Sequence, residues 1–362
     1  MNNIGSVKHV FASSNTCNGF ISLGDLFITQ DNTRKIYLLK GVSDTAKSNL
    51  MKRIGQSLID DGIDVEYHHC CLEPSIIKCL YIPCIEMLII NTTLPDPILP
   101  TVINLDEYLD HDKLISNKEA IIACNDIVTR CFQKSQFYLQ GAGALYKTYV
   151  YTTEPSINEV AKLQYENFII RNISQIVADN KTIGKTRTLF SYAITSEGII
   201  DNVHTIIGKT KNIYLIKENL TCNSKQLMNR LKNLFIERGH TIECYMSPID
   251  TTKIEDIIVP TLSLAFTASN PFRKPKIFPT DIYDFTNCIN HEILETVELG
   301  AEKDFKLMQI LLDKSYSALS NTKRHKETLD SYYTNAIDFS KVDEVYENIY
   351  NKIKMLCNAA IR

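Results

Sequence analysis

The sequence contains two copies of one pattern, and this repetition constrains the fold more than any other feature of the chain. Twelve of the 48 residues at positions 36–83 are identical to the residue 177 positions later. The alignment places the segment that begins at Lys35, KIYLLKGVSDTAKSNLMKRIG, over the segment that begins at Asn212, NIYLIKENLTCNSKQLMNRLK. Each copy would occupy about 180 residues, which is a usual domain size. We therefore expect two related domains.

The repetition extends in both directions with small shifts. Upstream, VFASSNTCNGFIS matches LFSYAITSEGIID and places Gly19 over Gly198. Downstream, the sequence YEN occurs at residues 165–167 and again at residues 346–348. The polar stretch ADNKTIGKTRT lies between the copies, and we place the boundary there.

Each half follows the order strand, loop, helix, strand. IYLLK and IYLIK are short aliphatic or β-branched runs, which are typical of buried parallel strands. The next segment of the first half has apolar residues at helical spacing and reaches a typical helix stop at Gly62. IDVEY, IEMLIINT and, in the second half, TLSLAFTAS are further strand candidates. This order predicts an α/β sheet, and long amphipathic patterns in residues 106–176 and 281–361 predict a helical appendage on each half.

The loop after the first strand nearly matches the phosphate-binding pattern G-x-x-x-x-G-K-[ST]. Gly41, Lys47 and Ser48 occupy three of its four specified positions, and Ala46 replaces the second glycine. In such a loop the backbone N–H groups surround the phosphates, the lysine reaches the β- and γ-phosphates, and the hydroxyl binds Mg²⁺. We expect a positive φ at Ala46, where a Cβ costs about 1–2 kcal/mol.

The second half departs further from this pattern. The four motif positions align with Glu218, Asn223, Ser224 and Lys225. Glu218 would place a carboxylate beside a phosphate, and the lysine is displaced by one residue, which turns its side chain by about 100° around a helix. We expect no ordinary triphosphate binding in this half.

Hydrolysis that depends on Mg²⁺ also needs a carboxylate at the end of a buried strand. Asn91 follows the candidate strand of the first half, and Thr267 follows that of the second. Asp96 is the next acid after Asn91 in the sequence. The sequence therefore predicts slow hydrolysis at most.

The pattern resembles a family of clostridial and bacillar ATPases of unknown role, built from two tandem P-loop halves. Its halves read LKG-x-P-G-T-G-K-S-x-L-M-K-K-I, then a strand ending in H-C, then a strand ending D-x-T-A-P-H. LLKGVSDTAKSNLMKRIG, the strand end at His69 and Cys70, and IINTTLPDP are similar to the first half of such a protein. TLFSYAITSEGII is similar to the opening of its second half, so the resemblance covers nearly the whole chain.

The resemblance implies ATP and Mg²⁺ as ligands. Carried over residue by residue, Gly41, Thr45, Lys47 and Ser48 match the family loop, and Ala46 departs from it. Asn91 departs at the acid after the strand. The implied site therefore comprises residues 41 and 45–48, with Ser48 as the Mg²⁺ ligand.

Composition limits the remaining function classes. The net charge is −3 with both signs scattered, which argues against nucleic-acid and anionic-membrane partners. No run of apolar residues is long enough to span a bilayer. Eleven cysteines without a C-x-x-C pair favour reduced thiols and a cytoplasmic protein. The sequence HHCC at residues 68–71 favours an ordinary strand end over a metal site, because successive strand residues point to opposite faces.

The sequence therefore predicts an α/β protein of two duplicated P-loop NTPase-like domains, residues 1–180 and 181–362, each a mainly parallel sheet with flanking helices. The favoured hypothesis is an ATPase-like protein that binds ATP in the first half, with weakened or lost hydrolysis. The alternative is a catalytically inactive pseudo-NTPase scaffold that binds a protein partner. A third hypothesis is a small-molecule or nucleotide kinase.

Overall fold

The computed structural model of the chain describes residues 4–23, 35–91 and 99–361. Asp96, the next acid after Asn91, lies outside these ranges. Strand segments such as MLII and LAFTAS are buried on both faces, as their nearly continuous apolar sequence requires for central strands. Within the described ranges, no helix combines the length and apolar character needed to cross a bilayer.

The first half contains a sheet of six strands in the order β1, β5, β6, β7, β4, β8. Strand β6 is antiparallel to both its neighbours, and the other pairs are parallel. The strands are β1 (Val7–Phe11), β4 (Lys35–Lys40), β5 (Val65–His69), β6 (Ile77–Ile82), β7 (Met87–Ile90) and β8 (Thr101–Asn104).

The second half contains a sheet with the equivalent order, β9, β13, β14, β15, β12, β16, and the same directions. Its strands are β9 (Thr186–Leu189), β12 (Asn212–Lys217), β13 (Ile242–Met246), β14 (Ile254–Val259), β15 (Leu264–Ser269) and β16 (Asp281–Asp284). Two sheets of identical topology are the structural counterpart of the repeated sequence.

A small antiparallel sheet joins the halves, because a hairpin of the first half pairs with a hairpin of the second. Gly19 and Gly198, which the sequence alignment equates, have φ of +101° and +92° at the two hairpin turns. Phe11 and Phe190 exchange two backbone hydrogen bonds of 2.9 Å. The four strands are β2 (Ser13–Thr16), β3 (Gly19–Ser22), β10 (Tyr192–Thr195) and β11 (Gly198–Asp201).

Reciprocal ion pairs also cross this junction. Lys8 binds Glu243 at 3.0 Å, and the equivalent Arg187 binds Glu66. Burial would raise the pKa of the Glu66 carboxyl, but the guanidinium of Arg187 and the ring of His68 hold it well below its usual value. The junction therefore keeps Glu66 ionised.

Each half has a helix after its β4 or β12 strand, then a long helix, then a final helix. The helices are α1 (Asp44–Asp60), α2 (His111–Ser116), α3 (Lys118–Thr153), α4 (Glu159–Ile176), α5 (Val203–Ile207), α6 (Lys225–Glu237), α7 (His291–Thr334) and α8 (Phe339–Ile361). The long helices α3 and α7 pack against each other in antiparallel directions, since Cys124 contacts His325 and Tyr149 contacts Phe305.

The final helices are exchanged between the halves. Helix α8 of the second half packs its apolar face on the core of the first sheet, with Ile349 and Ile353 buried beside α1. Helix α4 of the first half covers the second sheet in the same way, with Ile169 and Ile173 buried beside α6. Each sheet thus obtains its outer layer from the other half of the sequence.

These observations confirm the predicted α/β class, with mixed, mostly parallel sheets and flanking helices. One detail of the sequence alignment is wrong. The buried residues Ile169 and Ile173 of α4 correspond to the buried residues Ile349 and Ile353 of α8. Equivalent positions of the two helices are therefore 180 residues apart. The two YEN sequences are 181 residues apart and are therefore one position out of register.

The exchange makes a stability prediction. Ile353→Ala on α8 should lower the free energy of unfolding by about 2–5 kcal/mol, because it opens a cavity against the first sheet. Met355→Ala on the same helix, where the side chain is 67% exposed, should change it by no more than about 0.5 kcal/mol. Urea unfolding measures both variants. Equal small effects would contradict this packing of α8.

Candidate functional site

The loop that resembles a phosphate loop lies at the carboxyl edge of the first sheet, between β4 and α1, and contains three residues. Gly41 has a φ of +140°, and a Cβ there would lie 3.2 Å from Oδ1 of Asp106. Ser43 caps α1, since its Oγ accepts a hydrogen bond of 3.1 Å from the Ala46 N–H. The helix therefore begins at Asp44.

This early helix start corrects one expectation. Ala46 lies within the first turn of α1 and does not have a positive φ, because the Ser43 cap sets helical geometry before the residue is reached. Its methyl group is buried in the core of the first half, with 1% exposure. The replacement of glycine by alanine is thus unstrained in this conformation.

A carboxylate from the other half lies at the N-terminus of α1. Asp330, near the end of α7, accepts hydrogen bonds from the N–H groups of Asp44 at 2.8 Å and Thr45 at 3.1 Å. The hydroxyl of Ser43 also donates to it at 3.3 Å. A helix N-terminus favours an anion because its N–H groups are unsatisfied and its dipole is positive. Asp330 supplies that anion from within the chain.

Three ammonium groups surround the first turn of α1. Lys47 donates to the Gly41 carbonyl at 2.7 Å and lies 3.2 Å from Asp44. Lys78 and Lys326 donate to the other oxygen of Asp44, at 2.9 and 2.8 Å. Burial would raise the pKa of the Asp44 carboxyl, but these three lysines together hold it well below its usual value. The predicted phosphate-binding lysine is engaged with its own loop.

Ser48, the predicted Mg²⁺ ligand, is fully buried. Its Oγ accepts a hydrogen bond of 2.9 Å from the Ile77 N–H, so it ties α1 to the start of β6. Thr45 is partly buried and contributes its N–H to Asp330. The structure therefore places residues 41 and 45–48 together, and each has a role within the folded chain.

The strand ends carry amide and hydroxyl groups where a hydrolytic site would need an acid. Asn91 donates from its backbone N–H to the Lys78 carbonyl at 3.0 Å, and its Oδ1 is buried without a partner in the described part of the chain. Thr267 donates to Asp256 on the neighbouring strand. Asp256 in turn binds the fully buried Arg273 at 2.8 Å. These contacts stabilise the sheet edge.

The equivalent loop of the second half is longer and is occupied by its own carboxylate. It extends from Glu218 to Ser224, and α6 begins at Lys225. One oxygen of Glu218 accepts hydrogen bonds of 2.7 Å from both the N–H and the Oγ of Ser224. The other oxygen binds the buried Lys253. Burial would lower the pKa of Lys253, but Glu218 and Glu255 raise it above its usual value.

The two halves thus satisfy equivalent helix N-termini in different ways. In the first half the carboxylate is Asp330 of the opposite half, and in the second half it is Glu218 of the loop itself. Sequence reasoning identified Glu218 as a carboxylate at a phosphate position. It missed Asp330, because the residue is 286 positions from Asp44 and no motif marks it.

The histidines at the end of β5 have partners within the protein. His69 lies 2.8 Å from a ring nitrogen of His9 and 2.6 Å from the Pro74 carbonyl. His68 binds Glu66 at 2.6 Å. Across the residues that the structure describes, no cluster of three His, Cys, Asp or Glu side chains could hold a metal ion.

Comparison of the chain with protein-family models, curated proteins and solved structures found no match. The similarity to tandem P-loop ATPases therefore depends on the sequence segments quoted above. Nucleotide and Mg²⁺ binding at residues 41 and 45–48 stays a prediction.

Burial at the strand end gives a pH prediction. Burial lowers the pKa of His69 to about 4 from 6.5, so between these values the unfolded chain binds a proton that the folded chain does not. Stability should therefore fall as the pH decreases through this window, by about 2–3 kcal/mol between pH 7 and 4.5. His69→Gln should remove this part of the loss, and His111→Gln on the surface should not. Urea unfolding at both pH values measures it. Equal losses in all three proteins would contradict it.

Proposed function

We propose that this protein is a catalytically inactive, P-loop-like scaffold that binds a protein partner. The observation that carries the proposal is the Asp330 carboxylate at the N-terminus of α1, bonded to the N–H groups of Asp44 and Thr45. These groups are the ones that a phosphate would need. An internal carboxylate there makes the loop a structural joint between the two halves.

Other contacts support the same conclusion. Ser48, the candidate Mg²⁺ ligand, accepts a hydrogen bond from a buried backbone group, and Asn91 replaces the strand-end acid. The second loop holds Glu218 against Ser224. Phosphoryl transfer depends on positioned cations and a metal-binding acid, and both sites have lost part of that set.

The antiparallel pair α3 and α7 is the favoured surface for the partner. It exposes several large apolar side chains along its length, and exposed apolar surface is a feature of many protein interfaces. The exposed fractions are 53% for Ile122, 71% for Phe137, 50% for Leu307 and 49% for Ile310. The eleven cysteines, which include no C-x-x-C pair, favour a reducing, cytoplasmic location.

Nucleotide binding is the second candidate, and one observation favours it. The ammonium groups of Lys47, Lys78 and Lys326 converge on the first turn of α1, where all three pair with the carboxylate of Asp44. An ATP phosphate with Mg²⁺ would have to displace Asp330 from the helix N-terminus. In that case the protein would be an ATP-binding member of the resembled family, with slow hydrolysis or none.

A thermal-shift titration with Mg-ATP separates the two candidates, because a ligand that binds the native state raises the melting temperature. The scaffold proposal predicts no shift for the parent protein, for Asp330→Asn or for Lys47→Ala. Glu327→Gln, on the exposed side of α7, is the matched control for the loss of one carboxylate. A saturable shift that grows in Asp330→Asn and disappears in Lys47→Ala would contradict the scaffold and establish nucleotide binding.

A further inference from the structure

A cleft of about 580 Å³ lies beside the second loop, at the position where Asp330 closes the first one. Its walls are the end of α3, the start of α4 and the first turn of α6. The volume is in the range of small-molecule sites. The cleft exists because the residue equivalent to Asp330, 180 positions earlier, is Val150, which is too short and apolar to reach the α6 terminus.

Lys162 of α4 lines this cleft and is 7% exposed. Within the described ranges its ammonium has no hydrogen bond and no carboxylate within 4 Å. It is close enough to Cys222, just before α6, to oppose the rise in pKa to about 12 that burial gives that thiol. Lys162 also interacts electrostatically with Glu166, four residues further along α4: burial raises the pKa of the Glu166 carboxyl, and Lys162 opposes that rise.

The equivalent position of the other half carries no charge. The residue equivalent to Lys162 is Val342, which is 4% exposed and packs in the apolar core of the first half. The same position on the same helix therefore accommodates an ordinary core side chain. A lysine at this position of the second half is therefore not required by the fold, and it faces the cleft.

The other charged side chains of the cleft are either paired within the protein or exposed at its rim, whereas Lys162 is buried and has no ion pair in the described part of the chain. Lys225 is paired with Asp250 at 3.3 Å and with Thr252. The other charged side chains are exposed at its rim: Lys147, Glu154 and Glu159.

We propose that this cleft binds a small organic molecule that carries a phosphate or carboxylate group. The oxyanion accepts a hydrogen bond from Lys162, and the organic part lies against the rings of Tyr146 and Tyr151. The site is separate from the loop of the first half, so the inference does not depend on the scaffold proposal.

Phenyl phosphate and benzoate are suitable probes, and phenol is the neutral control. Titrations followed by NMR at constant ionic strength should give saturable binding of at least one anion and none of phenol. Lys162→Met should weaken the binding about 10-fold or more, the usual effect of losing a charge-assisted hydrogen bond. Lys341→Met removes the same charge from an exposed, near-equivalent place on α8 and should change the affinity less than twofold.

The two anions distinguish the possible ligands, since binding of phenyl phosphate alone indicates an organic phosphate and binding of benzoate alone a carboxylate. Absence of anion binding, or equal affinities in the parent protein and in Lys162→Met, would each overturn the proposal.

Discussion

The hydrogen bonds between the Asp330 carboxylate and the first turn of α1 connect the two halves at the position where the sequence resembles a phosphate loop. They depend on the antiparallel packing of α3 and α7, which brings the end of α7 over the first sheet. The same packing delivers α8 to that sheet and α4 to the other. Neither sheet would have its outer layer without this exchange. The same helix packing therefore positions both the Asp330 carboxylate and the outer layers of the sheets.

Duplication gave two copies of one sheet, and the copies then satisfied the same electrostatic requirement differently. A helix N-terminus at the carboxyl edge of a sheet needs an acceptor. In the first half the acceptor comes from α7, which closes the space above the loop. In the second half Glu218 provides it from within the loop. The space above α6 consequently remains open, and Lys162 faces it where the first half has Val342.

Much of the fold was predictable because it is local. Apolar runs such as IYLLK identify strands, helical spacing identifies α1 and α6, and sequence identity identifies the duplication. The exchange of α4 and α8 was not predictable, because an apolar stripe indicates which face of a helix is buried and not which sheet buries it. The YEN match places the alignment of α4 with α8 one residue out of register. The buried residues Ile169 and Ile349 give the correct register, because burial and not sequence identity defines equivalent positions on these helices.

The position of the loop between β4 and α1 was predictable from the sequence. The group that occupies the N-terminus of α1 was not. The loop and its helix were located correctly, but Asp330 acts across 286 residues of sequence, and no local pattern indicates it. Amide hydrogen exchange measured by NMR tests its role most directly. The N–H groups of Asp44 and Thr45 should be protected in the parent protein and should lose at least about tenfold of that protection in Asp330→Ala, while the N–H of Ser224 keeps its own. Unprotected Asp44 and Thr45 in the parent protein, or protection that Asp330→Ala leaves unchanged, would contradict the role assigned to Asp330.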